Sequence, residues 1–269
     1  TTLFRSRSGG EHFTLVEFDA YTASNMNRQV ACFAHTMGRN KAEVIAECIR
    51  AINPQASVTV FARKLDHSEL EPHVLDADVV FPAADDFAFS IMLFRMAQSL
   101  GRPSLLIIPA GAWAAVAMVM PRGPRAELIG GCPFMKTYEE LHRHMESTAY
   151  RLGLSFYRSC GGFSRGYYRG FVEGKLPPAQ LCPVVWMASS LGAMEVVKTL
   201  TGRWKPVSLP RYWEIRPGRI SQNHLWGPSG MTLRRVRNLV CGRLLAMPLR
   251  FPVEAIIRLW CRLLGVGER

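Results

Sequence analysis

Apolar positions along this chain fall into two rhythms that alternate as far as residue 121. Phe13-Thr14-Leu15-Val16-Glu17-Phe18-Asp19 is a compact apolar run closed by acids, the pattern of a buried parallel strand. Residues 39–53 carry Val44, Ile45, Cys48, Ile49 and Ile52 at helical spacing, and Pro54 stops the helix. The alternation continues with a strand over 57–61, a short helix over 68–75, a strand over 78–82 and a helix over 87–101 ended by Gly101. Strands over 104–109 and 113–121 follow. Such a rhythm implies right-handed crossovers, and so predicts an α/β fold: a mostly parallel sheet with helices on both faces.

After residue 121 the rhythm changes. An amphipathic helix is predicted over 138–153, and a Gly- and Tyr-rich loop over 158–171. A long helix with small residues along its length spans 181–202, and a late strand 211–217. Residues 231–265 read as helices broken at Pro248 and Pro252.

Composition narrows the class. A chain of 269 residues that is 48% apolar can bury one large core and carry an appendage. No run reaches the roughly 18 apolar residues of a membrane span, and Thr1–Gly10 lacks the apolar centre of a signal peptide. Seven cysteines, at 32, 48, 132, 160, 182, 241 and 261, form no C-x-x-C pair. Such a set fits reduced thiols in the cytoplasm, with no zinc expected. The formal net charge is +12, and residues 231–269 hold eight Arg against two Glu. A basic tail of that kind implies an anionic partner, a nucleic acid or a membrane surface, or else a solvated basic helix.

The chemistry concentrates just past the first strand. In open α/β sheets ligands bind beyond the carboxyl ends of the strands. Glu17 and Asp19 lie there, where a carboxylate can accept hydrogen bonds from ribose hydroxyls. Asn25, Arg28, Gln29 and Lys41 follow, a set of donors and cations suited to a triphosphate. Asp85 or Asp86, past the strand over 78–82, could hold Mg²⁺ against phosphates. Each residue alone is a weak signal; the order of acid, amide, arginine, lysine and acid is a stronger one. A dinucleotide oxidoreductase would share the fold class, but hydride transfer has no need of that cationic cluster.

The order resembles the ThiF/MoeB/HesA family, bacterial relatives of ubiquitin-activating enzymes. That family carries an acidic strand end, S-N-x-x-R-Q, then a lysine opening a helix that ends in N-P. Here stand Ser24-Asn25-Met26-Asn27-Arg28-Gln29, Lys41 and Asn53-Pro54. The family's D-x-x-D-N is matched loosely by Pro82-Ala83-Ala84-Asp85-Asp86. Its late G-S-L-x-A-x-E-x-x-K-x-L-x-G helix is matched by Ser189-Ser190-Leu191-Gly192-Ala193-Met194-Glu195, Lys198, Leu200 and Gly202.

The resemblance implies a Rossmann-like, ThiF-type adenylation domain over residues 7–217, with a variable helical and loop insertion over 121–180 and a basic helical extension over 218–269. Residues 1–6 are expected to be an arm or an artefact. The family's first strand and glycine loop are expected upstream of the chain, with Arg7-Ser8-Gly9-Gly10 as the end of the intervening helix and the turn after it, so residues 1–269 alone should bind ATP weakly or not at all. By the same resemblance ATP and Mg²⁺ are the cofactors. Glu17 and Asp19 are assigned to the ribose, Asn25, Arg28, Gln29 and Lys41 to the phosphates, and Asp85 to Mg²⁺, with Arg28, Lys41 and Asp85 catalytic. The family reaction adenylates a carboxylate, usually the C-terminus of a ubiquitin-like sulfur carrier; relatives modify tRNA. A homodimer is typical. Cys132, Cys160 and Cys182 are the candidate reactive thiols, though Cys182 lies too close to the late helix to match the family thiol. A non-catalytic binding module that keeps the fold is the third possibility.

Overall fold

A computed structural model describes residues 2–130, 135–147, 150–151, 164–176, 179–227 and 230. Helix α1 (Thr2–Arg7) leads through a turn at Gly9, whose φ of +92° favours glycine, into β1 (His12–Val16). α1 packs on the helices α2 and α8 defined below, and its Ser6 is buried. The chain then crosses over through α2 (Lys41–Ile52) to β2 (Ser57–Phe61), which pairs with β1 in parallel from His12↔Ser57 to Val16↔Phe61. α2 starts where it does because Asn40 caps it: the Asn40 Oδ1 accepts from the backbone N–H groups of Ala42 and Glu43. Its apolar stripe, Val44 and Ile49 among it, is buried.

Helices α3 (His67–Asp76) and α4 (Phe87–Ser99) flank the third predicted strand, which forms only one parallel bridge, Val80 to Ser104. From there the sheet changes character. β3 (Ser104–Ala110), β4 (Trp113–Val119), β5 (Arg211–Arg216) and β6 (Arg219–His224) form an antiparallel four-stranded sheet in that order. The α/β class holds, but the parallel strand pair is confined to the N-terminal part, with only isolated parallel bridges elsewhere, such as Gly111 to Gln180 and Met118 to Ser208. The segment predicted as another crossover strand, 113–121, is instead the return arm of a hairpin, turned at Gly111 with φ +57°.

Helices α5 (Glu127–Gly130), α6 (Tyr138–Glu146), α7 (Arg165–Val172) and α8 (Cys182–Thr201) complete the described chain. The two faces of the antiparallel sheet are covered by different helices. Trp113, Ala115, Ala117 and Val119 of β4 pack with Ile91 and Phe94 of α4 and Leu141 of α6. Ala114, Val116 and Met118 pack with Val184, Ala188 and Val196 of α8. Gly192 lets α8 come close: a Cβ there would lie 2.8 Å from Ile107 Cδ1 and 3.1 Å from Leu105 Cδ2. The Glu195 carboxylate, fully buried, ties α8 to β5. It accepts from Trp213 Nε1 at 2.8 Å, from Lys198 Nζ at 2.7 Å and from the Val207 N–H at 2.6 Å.

Three boundaries differ from the sequence reading. The predicted helix over 138–153 ends at Glu146, because the Ser147 backbone turns to extended geometry. The predicted loop over 158–171 contains α7, opened by Ser164, whose Oγ accepts from the Tyr167 N–H. Strand β6 carries the sheet past residue 217, where the extension was expected to begin; Pro217 and Gly218, φ +74°, make the turn. The helices predicted over 231–265 lie outside the described residues.

Candidate active site

The carboxyl ends of β1 and β2 open onto a single excursion, residues 20–40, that leaves the sheet and returns at the start of α2. The excursion is closed at its neck: Ala20 bridges Asn40, the Tyr21 N–H bonds the Arg39 carbonyl at 2.9 Å, and the Lys41 N–H bonds the Asp19 carbonyl at 3.0 Å. Asn40 adds a tie from Nδ2 to the Glu17 carbonyl at 2.9 Å. A small core of Tyr21, Ala31, Cys32 and Val44 fixes the loop against α2. Burial, with the nearby Cys32, Cys48 and Glu17 groups adding to it, pushes the Tyr21 phenol above its ordinary range and keeps it neutral there.

This neck brings Glu17, Asp19 and Lys41 together. Lys41 Nζ lies 3.0 Å from Asp19 Oδ2 and 4.0 Å from Glu17 Oε2, with only 13% of its side chain exposed. Glu17 Oε1 also accepts from the Asp19 N–H at 3.0 Å. The lysine therefore sits at the first turn of α2 between two acids, at the open end of the parallel strands. Anions are favoured at such a helix start.

The S-N-x-x-R-Q stretch lies on the far part of the excursion. Ala23–Asn25 make a short 3-10 turn. Asn25, expected as a phosphate donor, is 7% exposed, and its Oδ1 accepts from the Thr22 N–H and from Thr22 Oγ1. Arg28 Nη1 donates to the Ser24 carbonyl at 2.6 Å and to Asn27 Oδ1 at 3.0 Å. Both bonds use one nitrogen, so the remaining edge of the guanidinium fork takes no part in them. Gln29 is half-buried, with its carbonyl accepting from the Cys32 N–H at 3.0 Å. Among the described residues no hydrogen bond or ion pair joins Arg28 to Lys41 or to Asp85.

Two contacts that the sequence did not reveal hold this loop to α8 and to the residue pair ahead of it. Trp186 Nε1 donates to the Arg28 carbonyl at 2.9 Å, and Asn27 Nδ2 donates to the Gln180 carbonyl at 3.3 Å. Trp186 is 44% exposed and read only as part of an apolar helix.

Asp85 and Asp86 follow the Val80 bridge. Asp85 is exposed and makes no hydrogen bond or ion pair among the described residues. Asp86 is the N-cap of α4, its Oδ1 accepting from the Phe89 N–H at 3.1 Å, and its Oδ2 accepts from Tyr138 Oη at 2.6 Å. That bond holds the Tyr138 proton, so the phenol is pushed up to about 12. The described residues hold no group of three metal-ligating side chains. A single exposed carboxylate with an oxygen-rich ligand still suits Mg²⁺, which binds through one or two carboxylates plus phosphates. Cys182, a free and half-buried thiol, begins α8 immediately before Pro183. Cys132 and Cys160 lie outside the described residues.

A parallel β-α-β unit with Glu17, Asp19 and Lys41 gathered past the end of β1 is that of an open α/β domain. The chain belongs to the ThiF family, whose model matches residues 4–226. It is similar to Escherichia coli molybdopterin-synthase adenylyltransferase, 25% identical over 208 residues that cover 76% of this chain and 69% of that protein. A shorter match, 44% identical over 55 residues and covering 20% of each, is to the Escherichia coli tRNA threonylcarbamoyladenosine dehydratase. Among solved structures, Escherichia coli MccB with ATP shares the fold at a TM-score of 0.58 and 17% identity, covering 85% of this chain and 68% of that one. MccB with MccA-N7isoASN gives 0.59 at 18% identity, and there the chain spans 60% of MccB. No described helix is long and apolar enough to cross a membrane.

Proposed function

We propose that this protein is an ATP-dependent adenylyltransferase that activates a carboxylate, the C-terminus of a ubiquitin-like or sulfur-carrier protein. The observation that carries this reading is Lys41, held at the start of α2 between Asp19 and Glu17 at the open end of a parallel strand pair. Its ammonium would receive phosphate charge there, exchanging its carboxylate partners for phosphate oxygens. Glu17 and Asp19 would then be released to accept from ribose hydroxyls. Arg28 contributes the unused edge of its fork to the phosphates.

In the reaction the substrate carboxylate oxygen bonds to the α-phosphorus. The bond from that phosphorus to the bridging oxygen breaks, and pyrophosphate leaves with the electron pair. The chain's work is to hold the two reactants in line and to stabilise the charge moving onto the leaving group. Asp85 would hold Mg²⁺, which supplies charge neutralisation on the phosphates. We further propose a cytoplasmic homodimer, in keeping with the family and with free thiols at Cys32, Cys48 and Cys182.

The similarity of a 55-residue segment to the tRNA dehydratases, together with the net charge of +12, favours a second reading, adenylation of a modified tRNA base. ATP–pyrophosphate exchange at saturating ATP separates the two. The first reading expects exchange stimulated by a carrier protein ending in Gly-Gly and indifferent to tRNA. Arg28→Ala and Asp85→Ala should each abolish it. Exchange that survives both substitutions would sink the site assignment.

A further inference from the structure

The end of α8 leaves in water what a helix on a core usually covers. Residues 200–205, Leu-Thr-Gly-Arg-Trp-Lys, are exposed without a break. Trp204, 58% exposed, and Leu200, 55% exposed, are the two most exposed large apolar side chains among the described residues. They stand on either side of the Gly202 cap, whose φ of +63° closes the helix. Arg203 and Lys205 flank the tryptophan.

The charge here is one-sided. Between Glu195 and Glu214 the chain carries Lys198, Arg203, Lys205 and Arg211 and no acid. Lys198 is committed to the buried Glu195 at 2.7 Å. Arg203 and Lys205 make no ion pair among the described residues. The segment is also braced at both ends. The Gly202 N–H bonds the Lys198 carbonyl at 3.0 Å; beyond Lys205, the buried Val207 donates to Glu195 at 2.6 Å and accepts from the Met118 N–H at 2.9 Å. A fixed backbone therefore holds an indole and a leucine in water between unpaired cations. Neither side chain adds to the core, and an apolar pair rimmed by charge marks an interaction surface.

We propose that this end of α8 docks on an anionic lipid surface. An indole, apolar in body and polar at one edge, suits the boundary between headgroups and acyl chains. Leu200 beside it brings apolar area alone, and Arg203 and Lys205 would meet the negative headgroups. A nucleic acid would engage the cations and could stack on the indole, but it would leave Leu200 in water. The 20 residues of α8 span about 30 Å, and Trp186, which bonds the Arg28 carbonyl, lies toward its other end. Docking by the last turn thus leaves the candidate site open to its partners.

The test is flotation of the full chain with vesicles of phosphatidylcholine carrying about 30% phosphatidylserine, the lipid that supplies the negative surface. Leu200→Ser with Trp204→Ser should lower partitioning at least tenfold. Arg203→Gln with Lys205→Gln should lower it roughly twentyfold, about fivefold for each cation, and added salt should erase that difference. Circular dichroism should match the parent in both pairs, because all four side chains are exposed. Phosphatidylcholine brominated near the headgroup, mixed into the same vesicles, should quench the parent's tryptophan fluorescence and quench Trp204→Phe less. ATP–pyrophosphate exchange without vesicles should stay at the parent level in every variant, so the docking surface and the adenylation reading stand or fall separately. Failure of the parent to float overturns the proposal. So does equal flotation of the parent and the Leu200→Ser, Trp204→Ser pair, or equal quenching of the parent and Trp204→Phe. A tRNA gel shift weakened by that Ser pair while flotation is not would assign the surface to nucleic acid and overturn it as well.

Discussion

Glu195 shows at a single residue how a charge can be used for architecture rather than chemistry. It is fully buried, yet all its partners are donors from different parts of the chain: Lys198 one turn along α8, Trp213 on β5 and the backbone of Val207. Removing one member of a buried charged network leaves the others desolvated and unpaired, which costs roughly 3–5 kcal/mol. Glu195→Ala should therefore lower stability by about 3 kcal/mol or more, seen as a reduced urea midpoint at unchanged slope. Glu195→Gln keeps the shape but loses charge and one acceptor, and should cost roughly 1–3 kcal/mol. Equal stability of Glu195→Ala and the parent would show that the network contributes nothing net. The contrast with Lys41 is instructive. Its two carboxylates are partly solvated, 35% and 46% exposed, so water can replace either of them and the lysine stays available to a ligand.

At the scale of elements, α2 couples fold and site through one cap. Asn40 accepts from Ala42 and Glu43 through Oδ1 and donates to the Glu17 carbonyl through Nδ2, so the same side chain starts the helix and fixes where Lys41 stands. Asn40→Ala should cost about 1–2 kcal/mol in thermal unfolding, and Asn40→Asp should recover most of it because the acceptor returns. Adenylation activity should not recover equally, since Asp cannot donate to Glu17. Full recovery of both would separate the cap from the site. This helix was legible in the sequence because its signals are local: apolar spacing and a terminating Pro54. The direction of β4 was not. Trp113–Val119 is apolar at every position because both of its faces are covered, and burial on two faces says nothing about whether a neighbour runs parallel or antiparallel. β6 was missed for the opposite reason: Arg-Ile-Ser-Gln-Asn-His is polar and half exposed, and only the Pro217-Gly218 turn marked it. At the site, the acids, Arg28 and Lys41 were legible as an order of residue types. The burial of Asn25 and the Tyr138 contact to Asp86 were not, because both depend on side chains meeting in space.

Charge is the property that belongs to the whole molecule. Of 33 basic and 21 acidic side chains, eight Arg and two Glu lie in residues 231–269, so deleting that segment halves the net charge to +6. A chain this basic attracts polyanions without reading them, and each phosphate neutralised steepens the salt dependence of binding by about 0.9 in the logarithmic slope. The full chain is therefore expected to elute from heparin at high salt, and the chain ending at residue 230 at markedly lower salt. If the attraction is charge alone, unmodified tRNA and a DNA duplex of equal length should bind the full chain alike, both weakening together as salt rises. The deletion should flatten both salt slopes by up to roughly 5, the share of six charges. A preference for tRNA over duplex DNA that persists at physiological salt would need contacts beyond phosphate, because stacking and 2′-hydroxyl bonds are what distinguish RNA. That outcome would move the activity from a carrier C-terminus toward a tRNA base, and it would place the recognition in the basic segment if the deletion removed it.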